Sequence, residues 1–167
     1  MGRKDIPLND IGIDEAYTTS EVLKDNIFDL IICSPLMRAK QTANIINENR
    51  NNEIIYDERI MERCLGDLEG KPYTSDNNDI WDININSSSD SIETMVEFKN
   101  RVYAFLDEVL NKYPEKNILL VTHGGVSALI NCYFNNNIYE GSISDKFLKN
   151  CDYASYDTTK NKVLVRN

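Results

Sequence analysis

Two short, nearly unbroken apolar runs constrain this chain more than any other feature. Phe28-Asp29-Leu30-Ile31-Ile32-Cys33 stops at Ser34-Pro35, and Ile118-Leu119-Leu120-Val121-Thr122 stops at His123-Gly124-Gly125. Short runs without polar alternation are the pattern of strands buried on both faces, which belong to parallel sheets covered by helices. Each run leads into a helical pattern. Ser34 is a good N-cap type and Pro35 suits a first helical position. Ala39, Thr42, Ala43 and Ile46 then share one face of a helix expected to reach Asn49. After His123, the residues Val126, Leu129, Ile130 and Tyr133 do the same. Strands alternating with helices predict an α/β layer with a mainly parallel sheet.

The other segments fit around this frame. A helix is expected to start at Asn9 or Asp10, with Ile13, Ala16, Tyr17, Ser20 and Leu23 on one face. Residues 53–56 read as a second short strand. Residues 61–86 have weak periodicity and read as loops and turns, and residues 87–90 as a flexible lead-in. Asp90 with Glu93 resembles a capping box before a long helix that carries Val102, Phe105, Leu106 and Val109 on one face. Tyr113-Pro114 ends that helix. Residues 153–156 and 162–165 read as a hairpin turning over residues 158–161. A chain of 167 residues suffices for one domain that buries about 70% of its unfolded surface.

Charge and cysteine usage narrow the function classes. The net charge of -9 argues against nucleic acid or an anionic membrane as partner. No run of Lys and Arg offsets it, so an anionic ligand must be met by a few placed cations. The four cysteines are widely spaced, and no apolar stretch approaches the length of a membrane span. Reduced thiols and a cytoplasmic location are the expectation. One histidine and no close cysteine pair argue against a zinc site. Glycine-rich nucleotide loops are absent, and residues 76–86 lack the glycine that a calcium loop needs.

Chemistry is expected at the two strand-to-helix junctions. Ligands of open parallel sheets bind outside the carboxyl ends of strands, and a helix N-terminus there favours an anion. Arg38 lies in the first helical turn, where the helix dipole disfavours a cation. A bidentate phosphate contact would give it a reason, and an exposed surface arginine is the alternative. His123 is the only histidine of the chain. It is either a ligand-facing group beside glycines that allow close approach or a buried histidine satisfied by a carbonyl. Glu62 is a loop carboxylate, which by itself is usually just solvated, with a catalytic acid as the alternative.

Four motifs in order give the chain a resemblance. Gly2-Arg3-Lys4-Asp5-Ile6-Pro7-Leu8, Ser34-Pro35-Leu36-Met37-Arg38-Ala39-Lys40-Gln41-Thr42-Ala43, Glu62-Arg63-Cys64-Leu65-Gly66-Asp67-Leu68-Glu69-Gly70 and Val121-Thr122-His123-Gly124-Gly125 resemble the motifs of the histidine phosphatase superfamily, the phosphoglycerate mutase-like proteins. The resemblance implies one domain, residues 1–167, with a three-layer phosphoglycerate mutase-like α/β fold. It implies that Arg38 clamps the phosphoryl group, that His123 stabilises the developing charge and that Glu62 is the general acid. Gly124, Gly125, Gly2 and the backbone at Arg63 would line the substrate site. A small cap at residues 73–90 would set the substrate. No metal and no cofactor are implied.

The family opens with a strand ending in Arg-His-Gly, whose histidine becomes phosphorylated. Here Met1 directly precedes Gly2, so the first central strand is expected to be missing and the phosphohistidine route closed. The expected reading is an N-terminally truncated form of an enzyme that hydrolyses small phosphomonoesters, itself inactive or nearly so. The alternatives are a non-catalytic phosphate-ester-binding protein and a mutase acting on phosphoglycerate. The short stretch after Gly70 favours the phosphatase branch. The expected partner is a small phosphorylated metabolite or inorganic phosphate, and an open strand edge invites homodimer formation.

Overall fold

Residues 28–33 supply the central strand β1 (Leu30–Cys33), all four residues of which are buried. In this computed structural model, residues 2–71, 80–82, 91–135, 141–158 and 162–165 are described. The expected cap at 73–90, the lead-in at 87–90 and the tip of the C-terminal turn lie largely or wholly outside them. Two parallel neighbours flank β1: β2 (Ile54–Tyr56), with Ile31 opposite Ile54, and β3 (Ile118–Val121), with Leu30 opposite Ile118. The order β2-β1-β3 is that of a parallel sheet, as the apolar runs predict. A hairpin, β4 (Ala154–Asp157) with β5 (Lys162–Val165), forms a separate antiparallel pair.

Side chains of β1 alternate between two covered faces. Leu30 and Ile32 enter one core with Phe98, Val102, Phe105, Val126 and Leu129, while Ile31 and Cys33 enter another with Ala39 and Ala43. The first core is closed by α3 (Met95–Lys112) and α4 (Gly124–Asn135), the second by α2 (Met37–Asn47). These are the helix-sheet-helix layers expected from the alternation of elements. β3 differs from β1. Ile118, Leu119 and Leu120 are only partly buried, and among the described residues no strand pairs with its outer edge.

Helix starts depart from the local signals. α1 (Asp10–Val22) begins as expected, with the Asn9 side chain accepting from the Gly12 N–H. Its buried face is Gly12, Ala16 and Thr19, continued by Leu23, and Tyr17 is exposed, so the face is turned from the one expected. α2 starts two residues beyond Pro35. Its N-cap Leu36 offers no side-chain acceptor, and Asp5 from the N-terminal loop accepts from the Met37 N–H at 2.6 Å. α3 begins five residues beyond Asp90. Its capping box is Thr94 with Glu97, where hydroxyl and carboxylate meet each other's backbone N–H groups.

The stretch read as loops holds packing of its own. Trp81 is buried, edge-on to Phe147 at 4.8 Å between ring centroids and 6.3 Å from Phe98. Its carbonyl accepts from the Ile143 N–H. Thr94→Ala removes half of the capping box and is expected to cost about 1 kcal/mol. Phe98→Ala empties a fully enclosed position and is expected to cost about 3–5 kcal/mol. Urea unfolding measures both, and equal losses would contradict this ranking.

Candidate active site

The site lies at the carboxyl ends of β1 and β3, where the parallel topology leaves two helix N-termini side by side. Ser34 follows β1 and His123 follows β3. The His123 Nε2 lies 2.7 Å from the buried Ser34 hydroxyl. Ser34 therefore serves the site as a histidine partner, whereas the local signal marks it as a helix cap. The neighbouring Thr122 hydroxyl donates to the Ile60 carbonyl at 2.8 Å and fixes the end of β3.

Glu62 is buried, and its two carboxylate oxygens are separately held. Oε1 accepts from the Arg63 N–H at 2.9 Å and Oε2 from the Gly125 N–H at 3.0 Å. The second contact places the carboxylate at the N-terminus of α4, where free N–H groups and the helix dipole favour an anion. Gly125 makes this possible. A Cβ there would stand 2.4 Å from Glu62 Oε1 and 2.7 Å from the Trp81 ring. At Gly124 a Cβ would press on the Phe147 ring at 3.1 Å.

Arg38 is half-buried and works on the N-terminal loop. It donates to the Lys4 carbonyl at 3.0 Å and to the Gly2 carbonyl at 2.9 Å. The same loop is tied down by the Leu8 N–H on the Gln41 side chain and by the Arg3 N–H on Glu69. Gly2 is buried in the left-handed region, φ +56°, and a Cβ would meet Glu69 Oε1 at 2.8 Å. Arg38 is near enough to act electrostatically on both Glu62 and His123. The structure thus brings Arg38, Glu62 and His123 together.

Arg63 is placed otherwise. It is fully buried, donating to the carbonyls of Glu93 (2.6 Å) and Ile80, with its guanidinium 5.8 Å from the Trp81 ring. Its backbone N–H, expected near the ligand, is taken by Glu62. The Cys64 N–H is likewise taken, by Glu93 at 3.1 Å.

Burial sets the protonation of the site. It pushes the Glu62 carboxyl up, against the opposing pull of the Gly125 and Arg63 N–H groups and of the Arg38 and Arg101 charges. It pushes His123 down to about 3, and the cations Arg38 and Arg101 add to the shift. Burial also lowers Arg38, which Glu62, Asp5 and Glu69 push back up. At neutral pH the pocket therefore presents a neutral imidazole, a guanidinium and a carboxyl poised toward its acid form. Such a set has the chemistry to hold an oxyanion and to supply a proton. Among the described residues, no cluster of three or more His, Cys, Asp or Glu could hold a metal ion. No helix among them is long and apolar enough to cross a membrane.

Comparison with known proteins places this geometry in a family. A profile described as the histidine phosphatase superfamily (branch 1) matches residues 1–166. The Bacillus subtilis protein named uncharacterized phosphatase PhoE is 41% identical over 124 residues, 74% of this chain and 62% of that protein. The chain thus spans under two thirds of that relative's length. Among solved structures, Bacillus stearothermophilus YhfR superposes with a TM-score of 0.85 at 23% identity, covering 99% of this chain and 86% of that one. A mycobacterial glucosyl-3-phosphoglycerate phosphatase, solved with inorganic phosphate, has a TM-score of 0.70 at 23% identity, covering 87% and 75%.

The opposite shifts of His123 and Glu62 predict opposite pH effects. His123 is held below its ordinary 6.5, so the unfolded chain binds the extra proton first and stability falls as pH drops from 6.5 toward 3. Glu62 is held above its ordinary 4.5, so its contribution falls as pH rises above 4.5. Against His123→Asn, the wild type should lose ground on acidification. Against Glu62→Gln it should lose ground on alkalinisation. Urea titrations between pH 4 and 8 test this, and pH-independent differences would refute it. Gly125→Ala should cost about 1–3 kcal/mol through overpacking, and a crystal structure of that variant with Glu62 unmoved would count against the contact described.

Proposed function

The chain belongs to the histidine phosphatase superfamily, branch 1, and from that membership we propose that its pocket binds the phosphoryl group of small phosphate monoesters. The observation that carries this reading is the meeting of a guanidinium, a neutral imidazole and a protonatable carboxyl at two helix N-termini. Arg38 supplies the fixed charge and planar donors that suit phosphate oxygens. His123 supplies a hydrogen bond, and Gly124 and Gly125 let the start of α4 approach the ligand. Glu62 is the general acid that protonates the leaving alkoxide. The relative named a phosphatase, and the phosphate held by a protein of the same fold, support this assignment.

The phosphohistidine route needs a histidine nucleophile besides His123, and these 167 residues hold one histidine. We assign hydrolysis through a phosphohistidine to a form that also carries an Arg-His-Gly strand. To these residues alone we assign binding with little or no turnover. Burial of Glu62 supports its acid role, because a raised carboxyl keeps its proton further toward neutral pH. In a form competent for turnover, hydrolysis then declines on the alkaline side as Glu62 ionises. We place the protein in the cytoplasm, working without added metal.

Calorimetry with inorganic phosphate tests the binding assignment. Binding is expected, and Arg38→Ala should weaken it roughly 10–100-fold, the range for a lost charged hydrogen-bond pair. A dissociation constant unmoved by Arg38→Ala removes the reading. Joining the chain to an upstream strand ending in Arg-His-Gly should give metal-independent hydrolysis of p-nitrophenyl phosphate. A folded fusion without activity would sink the catalytic assignment.

A further inference from the structure

Behind Glu62 lies an ionic network that the phosphoryl chemistry does not itself require. Glu93 stands just ahead of α3 and Arg101 two turns into it. Arg101 Nε donates to Glu93 Oε1 at 2.6 Å and its Nη2 to Oε2 at 3.0 Å, a fork-on-carboxylate pair. The remaining reach of Arg101 goes to the acid loop. Nη1 donates to the carbonyls of Arg59 (2.5 Å) and Met61 (2.9 Å), and Nη2 also to the carbonyl of Glu62 (3.1 Å). The Glu62 carbonyl accepts a second guanidinium, Arg3 Nε at 3.0 Å, whose Nη2 returns to Glu93 at 3.2 Å. Glu93 further accepts the Cys64 N–H at 3.1 Å. One carboxylate therefore orients two arginines that converge on the backbone of Glu62.

We propose that Arg101, held in place by Glu93, is a positioning residue that fixes the acid Glu62 in the pocket, and that Arg3 joins the N-terminal loop to the same support. Three carbonyls within four residues are gripped by one rigid planar group, which no lysine or neutral side chain reproduces. Both partners are mostly enclosed, the Arg101 side chain 17% and the Glu93 side chain 12% exposed, so water does not dilute the pairing. The groups that act on the Glu62 carboxyl are Arg38 from α2, Arg101 from α3, the Gly125 N–H from the start of α4 and the Arg63 N–H from its own loop, while Arg3 bonds the Glu62 carbonyl. Arg101 alone among these both grips the loop backbone at three points and places a charge under the carboxyl. The inference deepens the reading of Glu62 as the acid, and it stands on the protonation of Glu62 whether or not phosphate binds.

The test is carbon NMR of protein labelled at the glutamate carboxyl carbon, with the Glu62 signal identified by its loss in Glu62→Gln. The Glu62 titration midpoint is then measured in wild type, Arg101→Lys, Arg101→Met and, as a control, Arg59→Met. The Arg59 side chain is half-buried and pairs with Asp57 and Glu108, away from the Glu62 carboxyl, so its removal leaves the carbonyl that Arg101 holds in place. Arg101→Met should shift the midpoint upward, Arg101→Lys by less, and Arg59→Met should leave it in place. If Arg101→Met does not fold, Arg101→Lys decides, since it keeps a cation under the loop. A Glu62 midpoint in Arg101→Lys and in any folded Arg101→Met equal to that of wild type overturns the assignment. So does a shift of the same size in Arg59→Met, which would mark a general loosening. A wild type that fails to bind inorganic phosphate while the Arg101 variants shift the midpoint as expected would instead count against the functional reading alone.

Discussion

A carboxylate withdrawn from water is what the rest of the site depends on. An unpaired buried charge is costly, so every group around Glu62 answers to it. Two backbone N–H groups hold its oxygens, one of them from the start of α4. Gly125 is bare because any side chain would occupy the space of that carboxylate. Trp81 closes the same space from the other side. The same enclosure that raises Glu62 keeps His123 uncharged, so one act of burial sets the protonation of both groups.

The sheet explains why these groups meet. β1 and β3 run parallel, so their ends deliver Ser34 and His123 to one edge, 2.7 Å apart, from positions 89 residues apart in sequence. Full burial of β1 and partial exposure of β3 show which is the interior strand among the described residues. Asp5 and Gln41 then fasten the N-terminal loop to α2, so that the loop beside Arg38 is held by caps rather than by a hydrophobic core.

That Arg38, Glu62 and His123 come together in space was legible only through the four motifs taken in order, since the local pattern at Arg38 and Glu62 left a plain surface role open. The strands were legible because four apolar residues in a row fit little else. Helix starts were not. Ser34-Pro35 carries a strong local start signal, yet the Ser34 hydroxyl is drawn to His123 and the cap comes from Asp5, which no local rule can see. Asp90 lost to Thr94, whose hydroxyl completes the box with Glu97. The turned face of α1 has the same origin, since packing chose Thr19 over Tyr17. Glu93, Arg101 and Arg3 carry no sequence signal as a set, because their link exists only where three distant segments converge on one carbonyl.

The two carbonyls on Arg38 have a consequence for how tightly an anion can be held. A free arginine side chain gives up on the order of 2 kcal/mol of rotamer entropy when it is ordered. Here the carbonyls of Gly2 and Lys4 order it as the chain folds. An anion held there, as proposed, would meet a group already aligned, and its binding free energy would not be reduced by that ordering. On the proposed reading of Arg38, the N-terminal loop would thereby contribute to affinity through the stiffness it gives to one side chain.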